Sequence, residues 1–250
     1  MKNSFKIIMP FYNADKFIEQ SIMSALTQKH NNFTLVVIND ASSDNSDKIV
    51  QDLLMQNQEK IIYINNKERM GAMYNHQNAI FNYCNTEDIV IHLDGDDWFP
   101  NNKVLSYIDD FYNFHGCLMM YGQAKYFSGR EGNARPYLSK EEFDNKRNLP
   151  FFVSHIRTFR AKAFFEIKNQ DPDLECFKDD KNNWYSMAPD VAMMYPLLEI
   201  CGYDKVKYND KVLYIYNDSN PICEFKVNLQ LQEQLHRHVL AKKPFKQIDL

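Results

Sequence analysis

Asp88-Ile89-Val90-Ile91-His92-Leu93-Asp94-Gly95-Asp96-Asp97 is the stretch from which the fold can be read. Asp88–Leu93 is near-continuous in apolar residues, as strands covered on both faces of a parallel sheet are. The four residues after it contain three carboxylates. Asp and Gly are ordinary turn residues after a strand, but three acids in four positions repel one another unless water or a cation separates them. Outward toward the N-terminus the same alternation repeats. Lys6–Met9 is a short strand ended by Pro10, and Asp15–Gln28 places Phe17, Ile18, Ile22, Ala25 and Leu26 at helical spacing. Thr34–Ile38 is a β-branched run followed by a helix around Ser46–Gln56, then Ile61–Ile64 as a strand and Ala72–Tyr83 as a helix. Four strands alternating with three helices predict a mostly parallel α/β sheet with right-handed crossovers.

The second half is less regular. Cys117–Tyr121 and Lys125–Phe127 read as strands joined at Gly122, and Gly129–Asn148 as a polar, loop-rich stretch. Ala188-Pro189-Asp190 is a helix start signal for a helix ending by Gly202. Val212–Tyr216 reads as a strand, and Glu224–Leu240 as a closing helix with Val227, Leu231, Leu235 and Val239 four apart. With no internal repeat and no long linker, residues 1–250 are expected to form one domain.

Composition bounds the function. The 250 residues are 44% hydrophobic and 25% charged, which excludes disorder, collagen and coiled coil as the main state. A net charge of −4 gives no basic excess for nucleic acid. Cys84, Cys117, Cys176, Cys201 and Cys223 are odd in number and scattered, favouring reduced thiols over disulfides or a zinc site. No run reaches the length of a transmembrane helix, and the apolar run at the N-terminus is too short for a signal peptide. A cytoplasmic protein is expected. Peripheral membrane contact through Lys242, Lys243 and Lys246 stays open beside the plainer reading of a solvated helix end.

In open α/β sheets, ligands bind at the carboxyl ends of the strands. Here Pro10-Phe11-Tyr12-Asn13, Asn39-Asp40, Asn65 to Gly71 and Asp94-Gly95-Asp96-Asp97 follow the four strands in turn. Hard oxygen ligands at Asp94 and Asp96 suit Mg²⁺ or Mn²⁺, which take one or two carboxylates plus phosphate oxygens. A calcium EF-hand fails: its sixth position would be Phe99 and its twelfth Leu105.

These four segments together resemble family 2 of the inverting glycosyltransferases. The resemblance rests on Ile7–Asn13, Val36–Ser46, Gly71 with Asn75 and Asn78, and His92–Asp97, in order and spacing over about the first 115 residues. It implies a GT-A fold, a nucleotide-sugar donor and a divalent cation. Residues 1–115 would be the nucleotide-sugar half and 116–250 the acceptor side. Pro10, Phe11 and Tyr12 would lie along the base and ribose. Asp40 would accept from a base N–H, which suits uracil and makes a UDP-sugar the expected donor. Arg69, beside Gly71, would approach the base or diphosphate. Asp94 would take ribose or a metal-bound water, Asp96 the metal, and Asp97 the sugar or acceptor. The sequence departs from the family at Asn39, where an acid is usual, at Gln77, where an arginine is usual, and at Pro189, where a glutamate usually precedes the essential Asp190.

Asp190 has two readings of its own, a helix cap and a general base; the resemblance favours the base. His155 and Arg157, in a basic segment, read equally as a surface turn or as contacts to the diphosphate or an acidic acceptor. Trp184 is a candidate for stacking on a sugar and Asn217 for reaching the diphosphate. The expected reaction is metal-dependent transfer, with inversion, to a glycan, lipid-linked or other hydroxyl acceptor. A non-catalytic nucleotide-sugar or glycan-binding module and a sugar nucleotidyltransferase are the alternatives. The latter wants a Gly-rich phosphate loop that Pro10–Asn13 does not supply.

Overall fold

A computed structural model of the chain describes residues 2–220 and 228–249. Four parallel strands, β1 (Phe5–Phe11), β2 (Phe33–Asn39), β3 (Ile61–Asn65) and β4 (Ile89–His92), form one side of a seven-stranded sheet. Its order is β3-β2-β1-β4-β6-β5-β7. The other side is β5 (Met119–Tyr126), β6 (Thr158–Arg160) and β7 (Val206–Tyr216). Only β6 runs antiparallel to its neighbours, pairing with β4 and β5, while β5 and β7 are parallel to each other. The sheet is therefore mostly parallel and flanked by helices, as expected.

Alternation along the strands builds two apolar layers. Ile7, Met9, Leu35, Val37, Ile89 and Ile91 face α1 (Ile18–Leu26), α2 (Ser46–Leu54) and α4 (Val104–His115). Ile8, Val36, Ile38 and Val90 face α3 (Ala72–Tyr83), α6 (Ala161–Gln170), α7 (Pro189–Cys201) and α8 (Leu229–Ala241). This two-sided burial is why the strands read as continuous apolar runs.

The second half differs from the sequence reading in several places. Cys117–Tyr121 and Lys125–Phe127 are not two strands: β5 runs through Gly122 with register shifts at Gly122/Gln123 and Gln123/Ala124. A Cβ on Gly122 would lie 2.9 Å from the Asn209 carbonyl of β7, so the close approach of the two strands requires glycine there. Val212–Tyr216 is the end of the longer β7. The Gly129–Asn148 stretch contains a short helix, α5 (Lys140–Asp144), capped by the Ser139 side chain. At the N-terminus α1 begins at Ile18 and not Asp15, because Ala14–Phe17 form a turn whose Ala14 and Asp15 N–H groups donate to Ser46 and Asp44. The closing helix is described from Leu229; Glu224 and Val227, like Cys223, lie outside the described residues. The four described cysteines are unpaired with one another. Among the described residues no helix is long and apolar enough to cross a membrane.

Candidate active site

The strand order reverses direction between β1 and β4, which is where α/β sheets open a crevice at their carboxyl edge. Gly95 lets the two strand ends meet. Its N–H donates to the Pro10 carbonyl at 3.1 Å, and an added Cβ would stand 2.4 Å from the Phe11 Cβ and 3.1 Å from the Ile18 Cδ1. Gly95→Ala is therefore expected to push the acidic loop away from β1, costing about 1–3 kcal/mol as overpacking does. Urea unfolding measures the loss, and a parent-like midpoint would contradict this packing.

Pro10 and Phe11 are buried, with the Phe11 ring in the α1/α4 layer. The Phe11 carbonyl accepts the Asp40 N–H at 2.9 Å. Tyr12 is the residue of the three whose ring is presented, and the Arg69 guanidinium lies over it at 3.7 Å. Arg69 Nε also stands 3.6 Å from Asp40 Oδ2. Asp40 is buried. Its Oδ1 accepts from Met70 N (2.8 Å) and Asn66 Nδ2 (3.1 Å), and its Oδ2 from Gly71 N (3.0 Å). Burial raises its pKa, but Asn75, Met70, Asn66 and Gly71 outweigh burial and hold it below the ordinary carboxylate range. Gly71 adopts a φ of 84°, a conformation glycine reaches at no steric cost.

The Ser42–Ser46 stretch, part of the segment that carries the family resemblance, braces the loop after β1. Ser42 Oγ accepts the Asn13 N–H, and Asn13 Oδ1 accepts the Ser43 N–H. Asn39, where the family usually has an acid, turns its Oδ1 to the Ser42 N–H at 2.9 Å.

The three carboxylates after β4 divide. Asp94 and Asp96 keep part of their surface accessible, whereas Asp97 is buried. Asp97 Oδ2 accepts from the Tyr214 hydroxyl at 2.6 Å and Oδ1 from the Asn217 N–H at 2.7 Å. These bonds tie the loop to the end of β7. Asn217 likewise serves this tie through its backbone. Burial first, then the Asp96 charge, raises Asp94 to about 7, with Arg157 pulling down and Asp190 pushing up. Burial also raises Asp96, against a hydrogen bond from Asn220 Nδ2 at 2.6 Å.

Among the described residues no three His, Cys, Asp or Glu side chains form a ready-made metal cage. Two accessible carboxylates, one of which raises the proton affinity of the other, do suit a hard divalent cation completed by phosphate oxygens.

Asp190 lies in the first turn of α7, after Ala188 in the left-handed region and Pro189. Its Oδ2 accepts from Arg157 Nη2 at 2.9 Å, and its side chain is 31% exposed. Arg157, read as a surface or diphosphate-contacting residue, is buried just before β6. His155 is half-buried, its ring stacked on Tyr214 at 4.5 Å, and desolvation and Arg157 hold it neutral. Neither presents a free cation. Trp184 meets Tyr74 edge to face and Lys178 lies over it. The sequence reading missed Tyr214, which joins this network, and His236 of α8, whose protonation burial opposes and the Asp190 charge favours.

Among protein families, the model of glycosyl transferase family 2 matches residues 6–167. The chain belongs to this family. An uncharacterized glycosyltransferase of Haemophilus influenzae is 30% identical over 188 residues, 71% of this chain and 73% of that protein. The teichoic acid poly(glycerol phosphate) polymerase of Staphylococcus epidermidis is 27% identical over 46% of this chain, which spans only 16% of that protein. In fold, the family 2 chain is similar to S. aureus TarS 1–349 in complex with UDP-GlcNAc, with a TM-score of 0.63 and 18% identity over 86% of this chain and 58% of that one. The mannosyltransferase PcManGT from Pyrobaculum calidifontis, in complex with GDP-Man and Mn²⁺, gives 0.63 at 13% identity, covering 98% and 66%.

Proposed function

We propose that this family 2 protein transfers a sugar from a UDP-sugar to an acceptor hydroxyl with inversion. Residues 1–115 would be the donor half and 116–250 the acceptor side of one GT-A domain. The observation that carries the reading is convergence at the β1/β4 crevice. The Tyr12–Arg69–Asp40 slot stands on one side, and the Asp94 backbone is linked to Asp190 through Tyr214, His155 and Arg157.

The base would lie against the Tyr12–Arg69 stack, with a remaining lone pair of Asp40 Oδ2 facing its N–H. Asp96, with Asp94, would hold Mn²⁺ or Mg²⁺, which when bound neutralises the charge of the leaving diphosphate. Asp190 would take the proton of the acceptor hydroxyl as that oxygen bonds to the anomeric carbon. The bond from that carbon to the diphosphate oxygen breaks, and its electron pair leaves with UDP. The ligands bound by the two structural neighbours, UDP-GlcNAc in one and GDP-Man with Mn²⁺ in the other, support a nucleotide-sugar donor without choosing the sugar.

UDP with Mn²⁺ is expected to stabilise the protein by about 2.7 kcal/mol at one hundred times its Kd. That corresponds to a Tm rise of about 5–11 °C at this chain length. EDTA should remove most of the shift, and Asp96→Asn should weaken UDP–Mn²⁺ binding by roughly tenfold or more, since a tenfold loss is only ~1.4 kcal/mol of a charge–cation contact. Calorimetric titration decides: equal binding by Asp96→Asn, or a preference for purine nucleotides, would overturn the site as drawn.

A further inference from the structure

We infer that Arg157 is the positioning residue of the proposed base, and that it locks Asp190 and the acidic loop into one frame. The inference rests on the reading of Asp190 given above. Each nitrogen of the Arg157 guanidinium has a protein partner. Nε donates to the Val153 carbonyl at 3.2 Å, Nη1 to His155 Nε2 at 3.0 Å and Nη2 to Asp190 Oδ2 at 2.9 Å. With a side-chain exposure of 9%, it is not placed to clamp a diphosphate.

A guanidinium only donates, so the facing His155 Nε2 must accept, which assigns the ring proton to Nδ1. The His155 ring then stacks on Tyr214 with an interplanar angle of 18°. The Tyr214 hydroxyl donates to Asp97 and accepts the Asp94 N–H at 3.2 Å. One continuous set of contacts therefore runs from Asp190 to the backbone of Asp94. Among the described residues Asp190 Oδ1 has no hydrogen-bond donor, while Oδ2 is held. A carboxylate fixed by one oxygen presents the other in a single direction, and holding a catalytic group in reacting geometry lowers the barrier. Arg157 is the residue that holds Asp190 Oδ2 in place. Replacing it with a neutral residue leaves Asp190 free to rotate.

The test uses the full chain with Mn²⁺ and three probes, UDP-glucose, UDP-galactose and UDP-GlcNAc, with water as acceptor and UDP release as the readout. UDP–Mn²⁺ binding is measured separately by calorimetry. Arg157→Met is expected to lower kcat by roughly 10²-fold, the scale of a mis-set proton acceptor, with donor KM and UDP Kd within about threefold of the parent. Arg157→Lys, which keeps the charge but not three directed bonds, should fall between them and serves as the test if the Met variant does not fold. In the Asp190→Asn background, Arg157→Met should cost no more than about threefold further, because residues acting as a unit are non-additive. A full second loss in the double variant overturns the inference, as does a rise in Kd and KM matching the fall in kcat. Parent-like turnover of Asp190→Asn, or a parent that releases UDP from none of the probes, removes the underlying reading instead.

Discussion

Asp190→Asn is expected to fold, to bind UDP with Mn²⁺ as the parent does, and to lose glycosyl transfer by about 10²–10⁴-fold. The two sequence readings of this residue, cap and base, predict different things. Loss of a cap costs about 1 kcal/mol and leaves turnover alone, and Asn caps a helix as well as Asp does. Here the position before the helix is Ala188, and the Asp190 carboxylate turns toward Arg157. Asn keeps an oxygen for Arg157 but cannot take a proton, so geometry survives while chemistry does not. Rates of UDP release from a nucleotide-sugar panel, set beside calorimetric UDP binding, measure both halves. Transfer within a few-fold of the parent would move the base elsewhere. Asp97 is then the next candidate, tied as it is to Tyr214 and the Asn217 N–H.

Arg147→Met is expected to destabilise the fold by about 3–5 kcal/mol, the cost of stranding one partner of a buried ion pair. Arg147 and Glu199 meet through two bonds, Nε to Oε1 at 2.6 Å and Nη2 to Oε2 at 3.0 Å, with side chains 15% and 5% exposed. The pair also gathers the end of the chain. Arg147 Nη1 donates to the carbonyls of Val239, Leu240 and Lys242, which close α8, and Glu199 Oε2 accepts the Phe245 N–H. Methionine would leave Glu199 charged and buried and those carbonyls without their donor. For a chain of this length the loss lowers Tm by about 6–20 °C. Pairing the change with Glu199→Leu should recover part of it, since two apolar residues leave no stranded charge. A single variant with a parent-like Tm would show that α8 and the tail do not depend on this clamp.

What the sequence determined by itself was the β1–β4 half. Its strands are legible because both faces of the sheet are covered, so every position is apolar and the runs stand out from polar turns. The four segments after them fall at one edge because parallel strands must all end on the same side. That alone brought Asp40, Asp94 and Asp96 into one neighbourhood, and it also located Asp190 at a helix start. Only the tertiary structure decided which of these groups face outward. Phe11 and Asp97 are adjacent in sequence to accessible residues, yet one is core and the other a tie to Tyr214, since successive strand and loop residues point opposite ways and the choice depends on what packs above them. β6 was illegible for a different reason: three residues carry no periodicity, and Thr158–Arg160 become a strand because β4 and β5 offer unpaired edges. That short antiparallel insertion sets Arg157 in the interior beside Asp190, 33 residues away in sequence. No spacing rule carries a contact of that kind, because it is made by burial and hydrogen-bond satisfaction after the sheet has assembled.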